Sequence, residues 1–347
     1  MRAWFGSGVG VCHRVEEGGG GGRRAGRRLP ASGCAPRIQC LYYNFPSGSI
    51  LRFTAFDLLI RSDLELPELL PCTGRASETP DVVLRVDAAD APGGRRTGPF
   101  TRIGGDWFSL EVPGIARYLV ERGAQVSIDP SPGADAAAVR LFLLGPVISA
   151  LLAQRGLTVL RGAAVRVGEQ CMVCAGASGG GKSTVAAALM LRGHQVLADD
   201  VVAVDGQGRV LPGLARLKLW ADAARALGID TAALSPVRPG MERFSLPLGA
   251  SLAERALPVR SVYALAGIEG ATALRVQAVR GMQRFGMLKA LAYQPGLMEY
   301  FVREDRALLH TGGLGARVGI ASVERPARGM DVNVLAEYLL DDMESQA

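Results

Sequence analysis

Lysine is almost missing from this chain of 347 residues: of its 39 basic side chains, all but Lys182, Lys218 and Lys289 are arginine. Against that background each retained lysine asks for a reason, because a compact ammonium and a planar guanidinium do different work. Cysteine is also sparse. Three of the six cysteines (Cys12, Cys34, Cys40) fall in the first forty residues, and a chain this long with so few excludes a disulfide framework. The one Cys-x-x-Cys pair, Cys171 and Cys174, lies in the apolar run Gln170 to Ala175. That run reads as a strand, in which positions i and i+3 face opposite ways, so two buried small side chains are expected rather than a redox or zinc pair. Long apolar runs are lacking too. The longest, Leu141 to Ala153, contains Gly145 and Pro146 and falls short of the ~20 residues that span a bilayer. Gly and Arg stand near the start where a secretory signal needs an uninterrupted apolar stretch. A cytoplasmic protein with no membrane partner is expected.

A net charge of +6 and a pI near 9.2 suggest a nucleic-acid binder until the charges are located. Residues 1–40 hold Arg2, Arg14, Arg23, Arg24, Arg27, Arg28 and Arg37 against Glu16 and Glu17, which leaves the remainder at only +1. The body of the protein carries no basic excess, and nucleic acid is not an expected partner. Residues 1–48, with the run Gly18 to Gly22 and the Arg cluster, read as a disordered leader or as upstream sequence translated from a misassigned start.

Alternating apolar residues in Ile50 to Ile60, Asp81 to Val86, Trp107 to Val112, Ile115 to Val120 and Gln125 to Ile128 predict a β-rich N-terminal lobe over 49–134. An α/β domain is expected over 135–347. It opens with a helix from Ala136 to Gln154 stopped by Gly156, followed by strands at Leu157 to Leu160, Ala163 to Val167 and Cys171 to Ala175. Val318 to Val323 reads as a late strand and Asp331 to Met343 as a closing amphipathic helix.

Directly after the third strand stand Gly176, Ala177, Ser178, Gly179, Gly180, Gly181, Lys182, Ser183 and Thr184, followed by a strong helix former, Val185 to Arg192. This is G-x-x-x-x-G-K-[ST] in the strand-loop-helix setting the P-loop requires. Its glycines let successive N–H groups curl around a phosphate at a helix N-terminus. Lys182 would reach the β- and γ-phosphates of ATP, and Ser183 would offer its hydroxyl to Mg²⁺. One of the three lysines holds this position.

A short strand then delivers Asp199 and Asp200. Neighbours on a strand face opposite sides, so one carboxylate is expected toward a metal and the other toward a nucleophile, where it can accept a hydroxyl proton. His194, just past the helix-stopping Gly193, reads as a structural residue at the helix end.

The segments Leu160 to Gly168, Gly176 to Thr184 and Arg192 to Asp200 together resemble the HPr kinase/phosphorylase family, in particular its divergent relatives that phosphorylate serine in ribosomally made peptides such as lasso peptides. Leu211 to Trp220 with Ala221 to Gly228, and more weakly Leu257 to Arg260, extend the likeness. The resemblance implies a P-loop kinase core related to HPr kinase and phosphoenolpyruvate carboxykinase. It implies ATP- and Mg²⁺-dependent phosphorylation of a serine on a peptide or small protein, with Asp200 as the base and Asp199 as its electrostatic partner beside Ser183 on the metal. A homo-oligomer, common in that family, is left open. Arg161-Gly162 stands where bifunctional members carry His-Gly, and Ala177 and Thr184 stand where they carry Asp and Glu. No acidic metal-binding segment follows the Asp pair, so phosphorylase activity is not expected. Two other functions fit the same motif: a small-molecule kinase, and a nucleotide-binding regulator without turnover.

Overall fold

The structure, a computed structural model, describes residues 51–72, 77–301 and 313–345. The leader at 1–48, Ile50, His13, His310 and the three N-terminal cysteines lie outside the described residues.

The first strands are β1 (Leu51–Ala55), β2 (Leu58–Ser62), β3 (Leu70–Pro71), β4 (Val82–Val86), β5 (Arg95–Arg96), β6 (Thr101–Gly104), β7 (Trp107–Val112), β8 (Ala116–Glu121) and β9 (Gln125–Pro130). They form a nine-stranded sheet in the order β3-β1-β2-β4-β9-β8-β7-β6-β5. Of the alternating run expected from Ile50 to Ile60, the described part from Leu51 is a hairpin, bent at Phe56 and Asp57, which both have φ of 56°. No glycine marks this turn. Packing dictates it: the Phe56 ring is buried against Gly213, where a Cβ would lie 3.0 Å from it, and the Phe56 N–H donates to Pro212 O at 2.6 Å.

The expected long helix is interrupted. α1 (Ala136–Phe142) starts at Asp135, whose side chain accepts from the Ala138 N–H, then gives way to a π-turn at Leu143–Val147 before α2 (Ile148–Gln154). Pro146 has no N–H to donate, and the widened turn absorbs that gap. Within the 19 residues from Ala136 to Gln154 an 18-residue window has a mean hydropathy of 2.0, so by length and composition the stretch is long and apolar enough to cross a bilayer, further than the bare apolar run indicates. In the fold, 67% of the stretch is buried, packed between β8 and the strand that follows it.

That strand, β10 (Thr158–Val167), merges the two predicted at Leu157 to Leu160 and Ala163 to Val167. Gly162 is no break: it pairs with Ala175 on one side and Asp200 on the other, and a Cβ there would sit 2.7 Å from Cys174 O. After β11 (Gln170–Ala175), α3 (Lys182–Leu191) begins at Lys182 itself, three residues ahead of the apolar run, because the loop glycines set up its first turn. β12 (Val196–Val204), β13 (Arg209–Val210), β14 (Arg216–Trp220), α4 (Ala221–Ala226), β15 (Ser235–Pro236), β16 (Arg243–Pro247), β17 (Leu257–Ile268), β18 (Arg275–Ala278), α5 (Gln283–Leu291), α6 (Pro295–Phe301), β19 (Gly319–Pro326) and α7 (Val332–Ser345) complete the described chain.

Seven strands run β11-β10-β12-β13-β17-β19-β18, and a parallel β11–β17 pairing closes the first five into a ring. A separate three-stranded sheet, β14-β16-β15, lies beside it. Val185, Leu189, Leu335 and Leu339 pack α3 and α7 on one face of the large sheet, while Leu160, Val173, Leu197 and Leu288 fill the other. Cys174 joins the first cluster and Cys171 the second, and burial pushes both thiols up to about 12. The result is a mixed α/β fold with several sheets.

Candidate active site

The loop from Gly176 to Gly181 leaves the C-terminal end of β11 and enters α3. It is pressed against β17: a Cβ at Gly176 (φ 140°) would lie 2.4 Å from Leu265 O, and one at Gly180 would lie 2.9 Å from the same oxygen. From the other side Arg325, at the end of β19, donates to Gly180 O and Gly179 O, each at 3.2 Å. The first-turn amides of α3 have no intrahelical acceptor and face this end of the helix. Lys182 folds back along the loop, its ammonium donating to Ala177 O at 2.6 Å.

Ser183 Oγ donates to Asp199 Oδ1 at 2.6 Å, and the other oxygen of that carboxylate accepts the Lys218 backbone N–H at 2.8 Å. Asp199 is buried, and burial raises its carboxyl above the ordinary range. Asp200 leaves the strand conformation, with φ of 70°. A non-glycine residue held there is strained by about 1–3 kcal/mol, a recurrent mark of functional positions. Its carboxylate pairs with the Lys218 ammonium, which is buried to 3% exposure. Burial alone would push Asp200 up; the Lys218 charge and hydrogen bond, helped by Arg243 and Arg161, more than reverse this and hold it below the usual range. Burial also lowers both Lys182 and Lys218.

Residues distant in sequence complete the surroundings. A Cβ on Gly145, in the π-turn, would lie 2.9 Å from the Tyr293 hydroxyl and 3.9 Å from Asp200 Oδ2, so the bare backbone makes room for both. Gln294 ties this segment to the helix through Pro146 O at 2.9 Å and Ser149 Oγ at 2.8 Å. Burial, then the Asp200 charge, raise the Tyr293 hydroxyl. The Arg161 guanidinium lies over the Tyr293 ring at 4.4 Å, and Arg243 lies over Trp220 at 5.7 Å. The Arg243 Nε is buried with no hydrogen-bond partner among the described residues.

Lys182, Ser183, Lys218, Trp220, Arg243 and Arg325 line one cavity of about 750 Å³. Ser178, Gly179, Gly181 and Thr184 line it too, and the other motif residues adjoin it: Gly176, Ala177 and Gly180 within the same loop, Asp199 through its bond from Ser183, and Asp200 through Lys218. Lys218, Arg243, Tyr293 and Arg325 were not singled out for this site by the motif, although the rarity of lysine had marked Lys218. His194 lies elsewhere, its Nδ1 3.1 Å from Arg166 O.

A nucleoside triphosphate with Mg²⁺ fits these residues. The loop glycines and the start of α3 offer N–H groups, Lys182 offers a cation, and the Ser183 hydroxyl with the Asp199 carboxylate are the hard oxygen donors Mg²⁺ prefers. Among the described residues no group of three or more His, Cys, Asp or Glu could hold a metal by itself, so phosphate oxygens and water would fill most of its coordination.

No protein-family model matches the chain, and no curated protein matches it. Among solved structures, one similar chain is the Hpr(Ser) kinase/phosphatase from Coxiella burnetii, 13% identical, with 54% of this chain and 97% of that chain covered at a TM-score of 0.26. An overlap at that score carries no chemistry, which follows instead from the residues of the site.

Proposed function

We propose that the protein is an ATP- and Mg²⁺-dependent kinase that phosphorylates a serine or threonine hydroxyl on a peptide or small protein. The observation that carries the reading is the linkage of three parts: the glycine loop with Lys182, the Ser183–Asp199 bond at the first turn of α3, and an ionised Asp200 paired with Lys218, where Lys182, Ser183 and Lys218 line one cavity and the two carboxylates adjoin it through them. ATP supplies the transferable phosphoryl group and Mg²⁺ offsets its charge. The loop amides and Lys182 bind and orient the phosphates, and Ser183 and Asp199 hold the metal. Asp200, kept ionised by Lys218, would accept the hydroxyl proton as the acceptor oxygen bonds the γ-phosphorus and the bond from that phosphorus to the β-phosphate oxygen breaks, with ADP as the leaving group. Lys182, Lys218, Arg161 and Arg243 all act on this pair of carboxylates. Four cations against two carboxylates leave a surplus suited to a polyanion.

The test is to incubate the protein with Mg²⁺, ATP and candidate acceptors, a ribosomally made precursor peptide first, and to measure phosphate gain by mass spectrometry. Transfer to a peptide hydroxyl is expected. Transfer to metabolites alone would replace the peptide acceptor with a small molecule. One observation favours a second reading, a nucleotide-binding regulator: Asp200 is already ion-paired with Lys218. Nucleotide binding without any turnover would establish it.

A further inference from the structure

We propose that Lys218 is a second phosphate-binding lysine, whose ammonium is shared between Asp200 and the terminal phosphate of the bound nucleotide. This rests on the nucleotide-binding reading above and adds a residue that lies 36 positions beyond Lys182, on β14 of the three-stranded sheet.

Four observations carry it. First, Lys218 is buried to 3% exposure, where an ammonium is costly unless fully engaged. Second, among the described residues its ammonium donates only to Asp200, leaving two of an ammonium's three N–H donors without a protein acceptor. Third, its backbone is anchored to the phosphate end of α3 through a single carboxylate, since Asp199 accepts from Lys218 N on one oxygen and from Ser183 Oγ on the other. Fourth, Lys218 lines the same cavity as Lys182 and Ser183.

A purely structural counter-ion for Asp200 would need none of the last three. An ammonium can turn its unused donors to a phosphate without releasing the carboxylate, whereas a planar fork committed to one acid cannot. The sharing has a chemical consequence. A terminal phosphate that takes the spare donors brings the transferable group beside Asp200 while the carboxylate keeps its bond to the ammonium. Lys218 then acts on the donor directly and on Asp200 as a positioning residue.

The test is isothermal titration calorimetry on the full chain with Mg²⁺, using ADP and the non-hydrolysable β,γ-imido analogue of ATP. Lys218→Met is expected to keep ADP affinity within about twofold and to lose about tenfold for the triphosphate analogue. Because that variant leaves a buried Asp200 unpaired, Asp200→Asn and the double variant are measured beside it. Asp200→Asn frees the ammonium and should bind the triphosphate analogue about threefold or more tighter with ADP unchanged, and the double variant should lose that gain. A Lys218→Met effect equal for both nucleotides, or no coupling between the two substitutions, would overturn the proposal while leaving the P-loop reading intact. A wild-type protein that binds neither nucleotide would overturn both.

Discussion

Two buried ion clusters stand next to each other along β14, and they are built differently. Arg216 and Lys218, two residues apart, lie on one side of the strand, while Leu217 and Leu219 enter the core under α3. Arg216 donates to Glu68 Oε1 at 3.2 Å, and Arg140 reaches the same oxygen at 3.1 Å. The Ala215 N–H also donates to Glu68 O at 2.9 Å, so this cluster ties the N-terminal sheet to the α/β core. Lys218, which lines the cavity, pairs with Asp200 behind it. One carboxylate shared by two guanidinium groups is a static joint. One ammonium with spare donors, beside a second carboxylate and a second lysine, is a site. In a chain that uses arginine nearly everywhere, lysine is kept at the two buried positions that face this cavity; the third, Lys289, is exposed and pairs with Glu299.

Substitutions can break that contrast. The largest effect is expected from Asp200→Asn, which should lower phosphoryl transfer by about 10³-fold, within the range for a lost general base, with nucleotide binding retained; mass detection of product against calorimetry separates the two. Glu68→Ala should leave the chemistry nearly unchanged and lower stability by about 3–5 kcal/mol, because it strands two cations, one of them buried. Urea denaturation of the two variants side by side would erase the distinction if Asp200→Asn proved the less stable and Glu68→Ala the less active.

The reciprocal exchanges sharpen it. Lys218→Arg keeps the charge but forces a larger planar group into a buried space, and activity is expected to fall about 10–100-fold. Arg216→Lys should cost about 1 kcal/mol of stability and leave transfer rates alone. At neutral pH the smallest effect concerns the baseline on which stability is read, which shows itself only in alkali. Cys171 and Cys174 rise from the usual 9.0 to about 12 in the fold. Between those values the unfolded chain has lost protons that the folded chain keeps, so stability falls as pH rises through that window. A Cys171→Ala, Cys174→Ala variant should show a shallower loss there in denaturant titrations.

The loop, α3 and the Asp pair were legible in the sequence because they are contiguous and each carries a local rule: glycines where φ is positive, an apolar helix, a strand that delivers acids. Lys218, Arg243 and Arg325 reach the cavity only through β14, β16 and the end of β19, and Tyr293 reaches Asp200 only through the turn after α5, and no local pattern announces such a meeting. Lys218 was the partial exception, visible through composition alone. The misread elements share a cause. Arg161-Gly162 looked like a break because the backbone oxygen that excludes a side chain there belongs to β11, and the turn at Phe56 was silent because its reason lies in Gly213. The π-turn has a local cause in Pro146, but the space left by Gly145 within it is used by Tyr293 and Asp200, far along the chain.

The grip of Arg325 on the loop has a consequence of its own. In a trans peptide the carbonyl and the following N–H point opposite ways, so holding Gly180 O turns the Gly181 N–H away from the guanidinium. With Leu265 closing off the other approach, the loop is ordered as the chain folds. The entropy of arranging its amides is then lost once, in folding, and not again at each encounter with a phosphate.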